Sequence, residues 1–167
     1  MTNSTHIKGE TVLEKDTIKN IRAFNRYYTV WLDVISKSYL GTGFSWPESR
    51  VLFEIYISDD ISATELCEHL NMDKSYVSRI LAKLEKNKLI TRELVVGSKG
   101  TKKLHLTDLG IKEAKQIDKN GDTQIVQKLK TMDTETCEKL CKAMMLIEKI
   151  LRENDNKTTN SEDEICM

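Results

Sequence analysis

Apolar residues at Ile18, Ile21, Phe24, Tyr28, Trp31 and Ile35 recur at steps of three and four positions. That spacing lays one oily stripe along a helix, so the sequence predicts a long amphipathic helix over about residues 11–40. Gly41-Thr42-Gly43 breaks it. Pro47 follows Trp46 and suits the first turn of a second helix, where its missing N–H has no intrahelical partner to lose. Val51, Leu52 and Ile55 supply that helix's apolar face. Ser62 or Thr64 can cap a short third helix reaching His69, with Leu66 and Leu70 turned inward. Asn71 tolerates the positive φ of a tight turn, and Asp73 then caps a fourth helix ending near Asn87.

The pattern next changes from helical to strand-like. Leu89–Val96 and Lys102–Leu106 flank Gly97-Ser98-Lys99-Gly100, which predicts a β-hairpin with a basic tip. Thr107 can cap a fifth helix to about Lys130. Asp133 can cap a sixth, carrying Leu140, Met144, Ile147 and Leu151 on one stripe. From Asn154 the residues are polar and charged, so 154–167 are expected to form a disordered tail. The expected fold class is mainly α with a small β-hairpin: six helices in one domain over residues 1–153.

Composition agrees with a packed, mostly helical domain. Of 167 residues, 39% are hydrophobic and 31% charged, with one proline and seven glycines. No apolar run approaches the roughly 20 residues of a membrane helix, so no membrane partner is expected. Residues 1–20 are too polar for a signal peptide's apolar segment. Four cysteines without such a signal suit reduced thiols, which makes a cytoplasmic location the expectation.

Net charge is zero, yet its distribution is uneven. Between Asp73 and Leu106 nine basic residues face three acidic ones, a local +6 balanced by −6 elsewhere. Such a segment is an electrostatic footprint for phosphate when its cations share a face.

The fourth helix has two faces. At roughly 100° per residue, Val77, Ile80, Leu81 and Leu84 fall together on one side. Ser75, Ser78, Arg79, Ala82 and Lys86 occupy the other, with Tyr76 and Lys83 at its flank. Small residues let such a helix sink into a major groove, where Arg79 can reach guanine or phosphate and serine hydroxyls can bond either. Contacts near a recognition helix's start read bases, which places Lys74, Ser75, Tyr76, Ser78 and Arg79 foremost.

The run from Glu65 to Ile90, containing Asn71-Met72-Asp73-Lys74-Ser75-Tyr76-Val77-Ser78-Arg79, resembles the helix-turn-helix of the MarR family. Leu106-Thr107-Asp108-Leu109-Gly110 looks like that family's step from wing to fifth helix. Phe24-Asn25-Arg26-Tyr27-Tyr28 is similar to the MarR portion of regulators fused to GNAT acetyltransferases. The resemblance implies a winged core over about residues 45–106, with dimerisation helices at 11–40 and 107–153. It further implies a homodimeric transcriptional regulator, expected to be a repressor, on a near-palindromic double-stranded DNA operator. Two-fold symmetry would set its half-sites about 34 Å apart. The wing would carry Lys99, Lys102 and Lys103 along the backbone or minor groove. The family's Asp-x-Arg wing pattern is missing here. Lysine is a flexible point charge, so phosphate attraction is what these residues retain.

Other residues invite chemistry but have plainer readings. Cys67-x-His69 lacks two further donors beside it, so Cys67 reads as core packing and no metal is expected. Cys137 and Cys141 lie one turn apart on the sixth helix and read as interface packing. Tyr27, Tyr28, Trp31, Tyr39 and Trp46 are candidates to line a pocket for a small-molecule effector, although an aromatic stripe more often belongs to a core. No phosphate-binding loop, GxSxG, HExxH or glycine-rich acyl-CoA loop occurs, so neither catalysis nor a cofactor is expected. The alternative is a regulatory or interaction module, related to the MarR/GNAT fusions, that does not bind DNA.

Overall fold

The structure, a computed structural model, describes residues 14–36, 38–58, 60–95 and 100–163, with side chains described to residue 155. The chain forms two units, Met1–Gly121 and Asp122–Met167. Among the described residues there are six α-helices and one antiparallel pair of strands, the mainly helical architecture that the pattern predicts.

The first unit begins with α1 (Lys15–Trp31), followed by a single 3-10 turn at Tyr39–Gly41. The helix therefore stops nine residues before the expected end at Leu40, and the predicted start near residue 11 lies outside the described residues. Asp33 has φ 57°, a left-handed conformation that a short carboxylate side chain tolerates and a continuing helix does not. The apolar period runs on through Val34 and Ile35, but these β-branched residues favour helix weakly. Spacing alone concealed the break.

Helix α2 (Trp46–Ile57) opens on a reciprocal cap: Glu48 Oε2 accepts from the Ser45 N–H at 3.0 Å, with Pro47 in the first turn. Helix α3 (Ala63–Leu70) repeats the device through Ser62 and Glu65. Asn71 then takes φ 48°, and the Met72 N–H returns to the Cys67 carbonyl at 3.0 Å. Helix α4 (Lys74–Lys86) starts on Asp73 and buries Val77, Ile80, Leu81 and Leu84.

Strands β1 (Ile90–Leu94) and β2 (Lys102–Leu106) pair in register, Ile90 opposite Leu106 and Leu94 opposite Lys102. A short bridge joins Ser62 to Lys103, and the Leu104 N–H donates to the Ile61 carbonyl at 2.9 Å. The hairpin is thus stitched to the start of α3. Its predicted tip at residues 97–99 lies outside the described residues. Val51, Leu52, Leu66, Leu81, Leu84, Ile90 and Leu104 meet in one core. Burying each of these side chains is worth about 1.5–3 kcal/mol, which fixes the faces of α2, α3 and α4 against the hairpin.

Helix α5 (Asp108–Leu129) crosses the division between units. Thr107 caps it by accepting from the Gly110 N–H at 3.1 Å while donating to the Lys88 carbonyl at 2.7 Å. In the second unit Asp133 caps α6 (Thr134–Asp163), accepting from the Thr136 N–H at 2.7 Å. Helix α6 continues past Asn154, where composition alone placed the start of a disordered tail. Residues 154–163 contain no glycine or proline to stop it. Residues 164–167 lie outside the described residues.

Candidate nucleic-acid interface

The outer face of α4 follows directly from its burial pattern. With Val77, Ile80, Leu81 and Leu84 committed to the core, Lys74, Ser75, Tyr76, Ser78, Arg79, Ala82, Lys83 and Lys86 stand exposed. The Arg79 guanidinium lies over the Tyr76 ring, 5.6 Å from its centre. Such a contact is worth about 0.5–1 kcal/mol at an exposed site and limits where the guanidinium swings.

Asp73 organises the start of this face. Its Oδ1 accepts from the Ser75 hydroxyl at 2.5 Å, the Ser75 N–H at 2.9 Å and the Tyr76 N–H at 3.0 Å. The Ser75 hydroxyl is the main reason that the Asp73 carboxyl sits below the usual carboxylate range, followed by the Tyr76 amide. Both helix-start amides are spent on this cap.

Not every cation in the basic segment is equally available. Lys83 Nζ lies 2.7 Å from Glu48 Oε1 in the first turn of α2. Burial pushes the Glu48 carboxyl up, but the hydrogen bonds from Lys83 and the Ser45 amide, with the lysine's charge, hold it below its ordinary value. Arg92 Nε lies 3.1 Å from Glu85 Oε2, joining β1 to the end of α4. Lys103 Nζ lies 3.0 Å from Glu65 Oε2, which ties the hairpin to the cap of α3. Glu65 is brought down to about 2, first by the Ser62 hydroxyl and amide and then by Lys103. Lys102 is exposed on β2. Lys99 lies outside the described residues.

The sequence singled out the lysines and missed these acidic partners. Glu48 and Glu65 are legible as cap residues, each three positions after a serine. The lysines they hold are 35 and 38 residues away, so no local pattern announces the pairs.

The candidate effector aromatics are only partly brought together. Phe24, Tyr28 and Trp31 stack along α1 with ring centres 5.4 and 5.7 Å apart. Trp46 meets Tyr39 edge-on at 6.4 Å. Burial raises the Tyr39 phenol, against a hydrogen bond with Trp46, and the Asp33 and Tyr28 charges add to the rise. Tyr39, itself one of the candidate aromatics, therefore has both Tyr28 and Trp46 within reach. Tyr27 is 70% exposed and outside the stacked row. A separate open cleft of about 470 Å³ lies among Ile55, Tyr56, Leu104, His105 and Ile111, with none of the candidate aromatics in its wall.

Cys67 is buried in the core, as its packing role requires, while Cys137 is half-buried and Cys141 exposed on α6. Among the described residues no cluster of three or more His, Cys, Asp or Glu side chains is placed to hold a metal. No helix among them is long and apolar enough to cross a membrane.

Two capped helices, a left-handed turn between them and a hairpin stitched to the first define a winged helix-turn-helix protein. The model of the MarR family matches residues 42–99, the stretch holding α2, α3, α4 and β1. No protein of curated function matches the chain. Several solved structures do share the fold. Streptococcus pneumoniae FabT, in a complex with DNA, superposes with a TM-score of 0.64 at 16% identity, over 83% of this chain and 97% of that one. A MarR/EmrR family transcriptional regulator from Acinetobacter sp. ADP1 gives 0.64 at 20% identity, over 86% and 99%. MepR, a transcription regulator of the Staphylococcus aureus multidrug efflux pump MepA, gives 0.59 at 16% identity, over 83% and 99%. The likeness to these regulators is one of fold.

Proposed function

We propose that this chain is a cytoplasmic, sequence-specific regulator of transcription that binds double-stranded DNA through α4 and catalyses no reaction. The outer face of α4 carries the proposal: it combines small hydroxyls, an arginine steadied by a tyrosine ring, and flanking lysines, on a helix whose opposite side is sealed in the core. Lys74, Ser75, Tyr76, Ser78 and Arg79 read the groove, while Lys102 and Lys99 attract phosphate from the wing. Lys83 and Lys103 contribute less, because each is paired with a carboxylate. The solved complex of FabT with DNA supports this reading by shared fold.

The regulator acts as a homodimer on a near-palindromic operator and represses from it. Among the described residues α1 and α6 bury none, yet they expose Ile18, Ile21 and Phe24 on the first, and Leu146, Ile150 and Leu151 on the second. Apolar faces of that kind suit a second copy of the chain. Tyr28, Trp31 and Trp46, grouped near Tyr39, form the side of an effector site, with Tyr27 at its edge. The likeness of residues 24–28 to MarR/GNAT fusion regulators fits the same DNA-binding role and adds no chemistry.

Selection of bound duplexes from a random-sequence library, with sedimentation of the complex, tests the proposal. Enrichment of a two-fold symmetric sequence by two chains per duplex is the expected result. A folded protein that enriches nothing, at low and physiological salt alike, removes the regulator reading in favour of the interaction module.

A further inference from the structure

The start of α4 fixes more than which residues face outward; it fixes the direction of one hydrogen bond. Asp73 takes the Ser75 hydroxyl proton on Oδ1 at 2.5 Å, alongside the amides of Ser75 and Tyr76. A carboxylate receiving three donors stays ionised and has no proton to give back. A serine hydroxyl owns one proton and two lone pairs. With its proton committed to Asp73, Ser75 turns only lone pairs toward anything that approaches from outside.

A duplex presents few partners for such a group. Phosphate oxygens are acceptors, and the carboxylate beside Ser75 repels their charge. The guanine edge in the major groove, N7 and O6, also accepts, as does O4 of thymine. Only the exocyclic amines of adenine N6 and cytosine N4 donate there. Donation toward guanine or phosphate falls instead to Arg79, one turn further on and steadied by the Tyr76 ring.

We infer that Ser75 is a specificity-determining residue of the recognition helix, held by Asp73 as a pure acceptor that selects adenine or cytosine through its exocyclic amine. This rests on the DNA-binding reading of α4 and deepens it. Asp73 is the positioning residue: it touches no base and acts by orienting the hydroxyl.

The 167-residue chain, with its Ser75→Ala and Ser75→Thr variants, is used to select duplexes from a random-sequence library. The best duplex is then remade with analogues lacking the exocyclic amine, purine for adenine and 2-pyrimidinone for cytosine, one position at a time. Wild type is expected to lose roughly three- to tenfold in affinity at one position of each half-site, the worth of one hydrogen bond. Ser75→Ala binds the natural and amine-free duplexes alike at that position, and Ser75→Thr, which keeps the hydroxyl, still discriminates. The inference is overturned if Ser75→Ala retains the full discrimination, or if no amine-free analogue at any position weakens binding of the wild type. Failure of folded wild type to select any duplex removes the DNA-binding reading, and this inference goes with it.

Discussion

Lys83 reaches out from α4 and closes on Glu48 in the first turn of α2, with 2.7 Å between Nζ and Oε1. A cation at the flank of the exposed face of α4 is thereby spent on holding two helices together. Glu48 is mostly covered and also caps α2, so it gains from the partner, while Lys83 remains half exposed to screening.

Lys83→Ala is therefore expected to affect stability more than DNA binding. Loss of the pair should cost about 0.5–1 kcal/mol, allowing for solvent screening, seen as a lower urea midpoint. The salt dependence of duplex affinity should hardly change. Lys102→Ala is the contrast: stability unchanged, binding weaker to all sequences alike, and a log–log salt slope shallower by about 0.9. A flattened slope for Lys83→Ala would show that the lysine leaves Glu48 for phosphate.

Arg79→Ala should lower affinity for the selected duplex by about 1–3 kcal/mol if the guanidinium grips a guanine edge. Competition with unrelated duplex at fixed salt separates this from a phosphate contact, since only a base contact loses selectivity. Tyr76→Leu, which removes the ring under the guanidinium, should give a smaller loss at the same base position. Equal affinity of Arg79→Ala and wild type would take Arg79 out of the interface.

Acid should loosen the junction between α3 and the hairpin. The folded state holds Glu65 near about 2, against the ordinary 4.5 that the unfolded chain retains. A depressed folded value contributes stability in full above about 4.5, loses it as pH falls from there toward about 2, and contributes nothing below that. Asp73 and Asp133 are lowered as well and act in the same direction. Urea unfolding at pH 6, 4 and 3 should show falling stability, with a shallower fall in Glu65→Gln. Identical pH slopes for the two proteins would contradict the assignment.

Gly110 packs in the first turn of α5 where the chain passes closest to the loop after α4. A Cβ there would overlap the Leu89 carbonyl oxygen and crowd Leu106. Because the obstacle is backbone, it cannot swing aside as a side chain would. Gly110→Ala should cost at least about 2 kcal/mol, toward the upper end of overpacking penalties. Gly43→Ala, with open space around it, should be nearly neutral in the same melting experiment.

Much of the fold was legible because its signals are local. Ser62 with Glu65, Asp73, Thr107 and Asp133 announce helix starts through hydrogen bonds that span two or three residues. Asn71 marks the turn because few other side chains accept φ 48°. The inward side of α4 followed from the 3.6-residue period, since burial of Val77, Ile80, Leu81 and Leu84 requires it. The end of α1 did not follow, because apolar spacing continues through Asp33 while the backbone does not.

The sequence by itself settled that six helices and a hairpin form, that Asp73, Thr107 and Asp133 start three of those helices, and which face of the fourth is oily. Only the tertiary structure decided which cations remain for a partner, because Lys83 and Lys103 find their carboxylates 35 and 38 residues away. Charge attracts through space, and chain separation carries no record of it until the core has brought α2, α3 and the hairpin together.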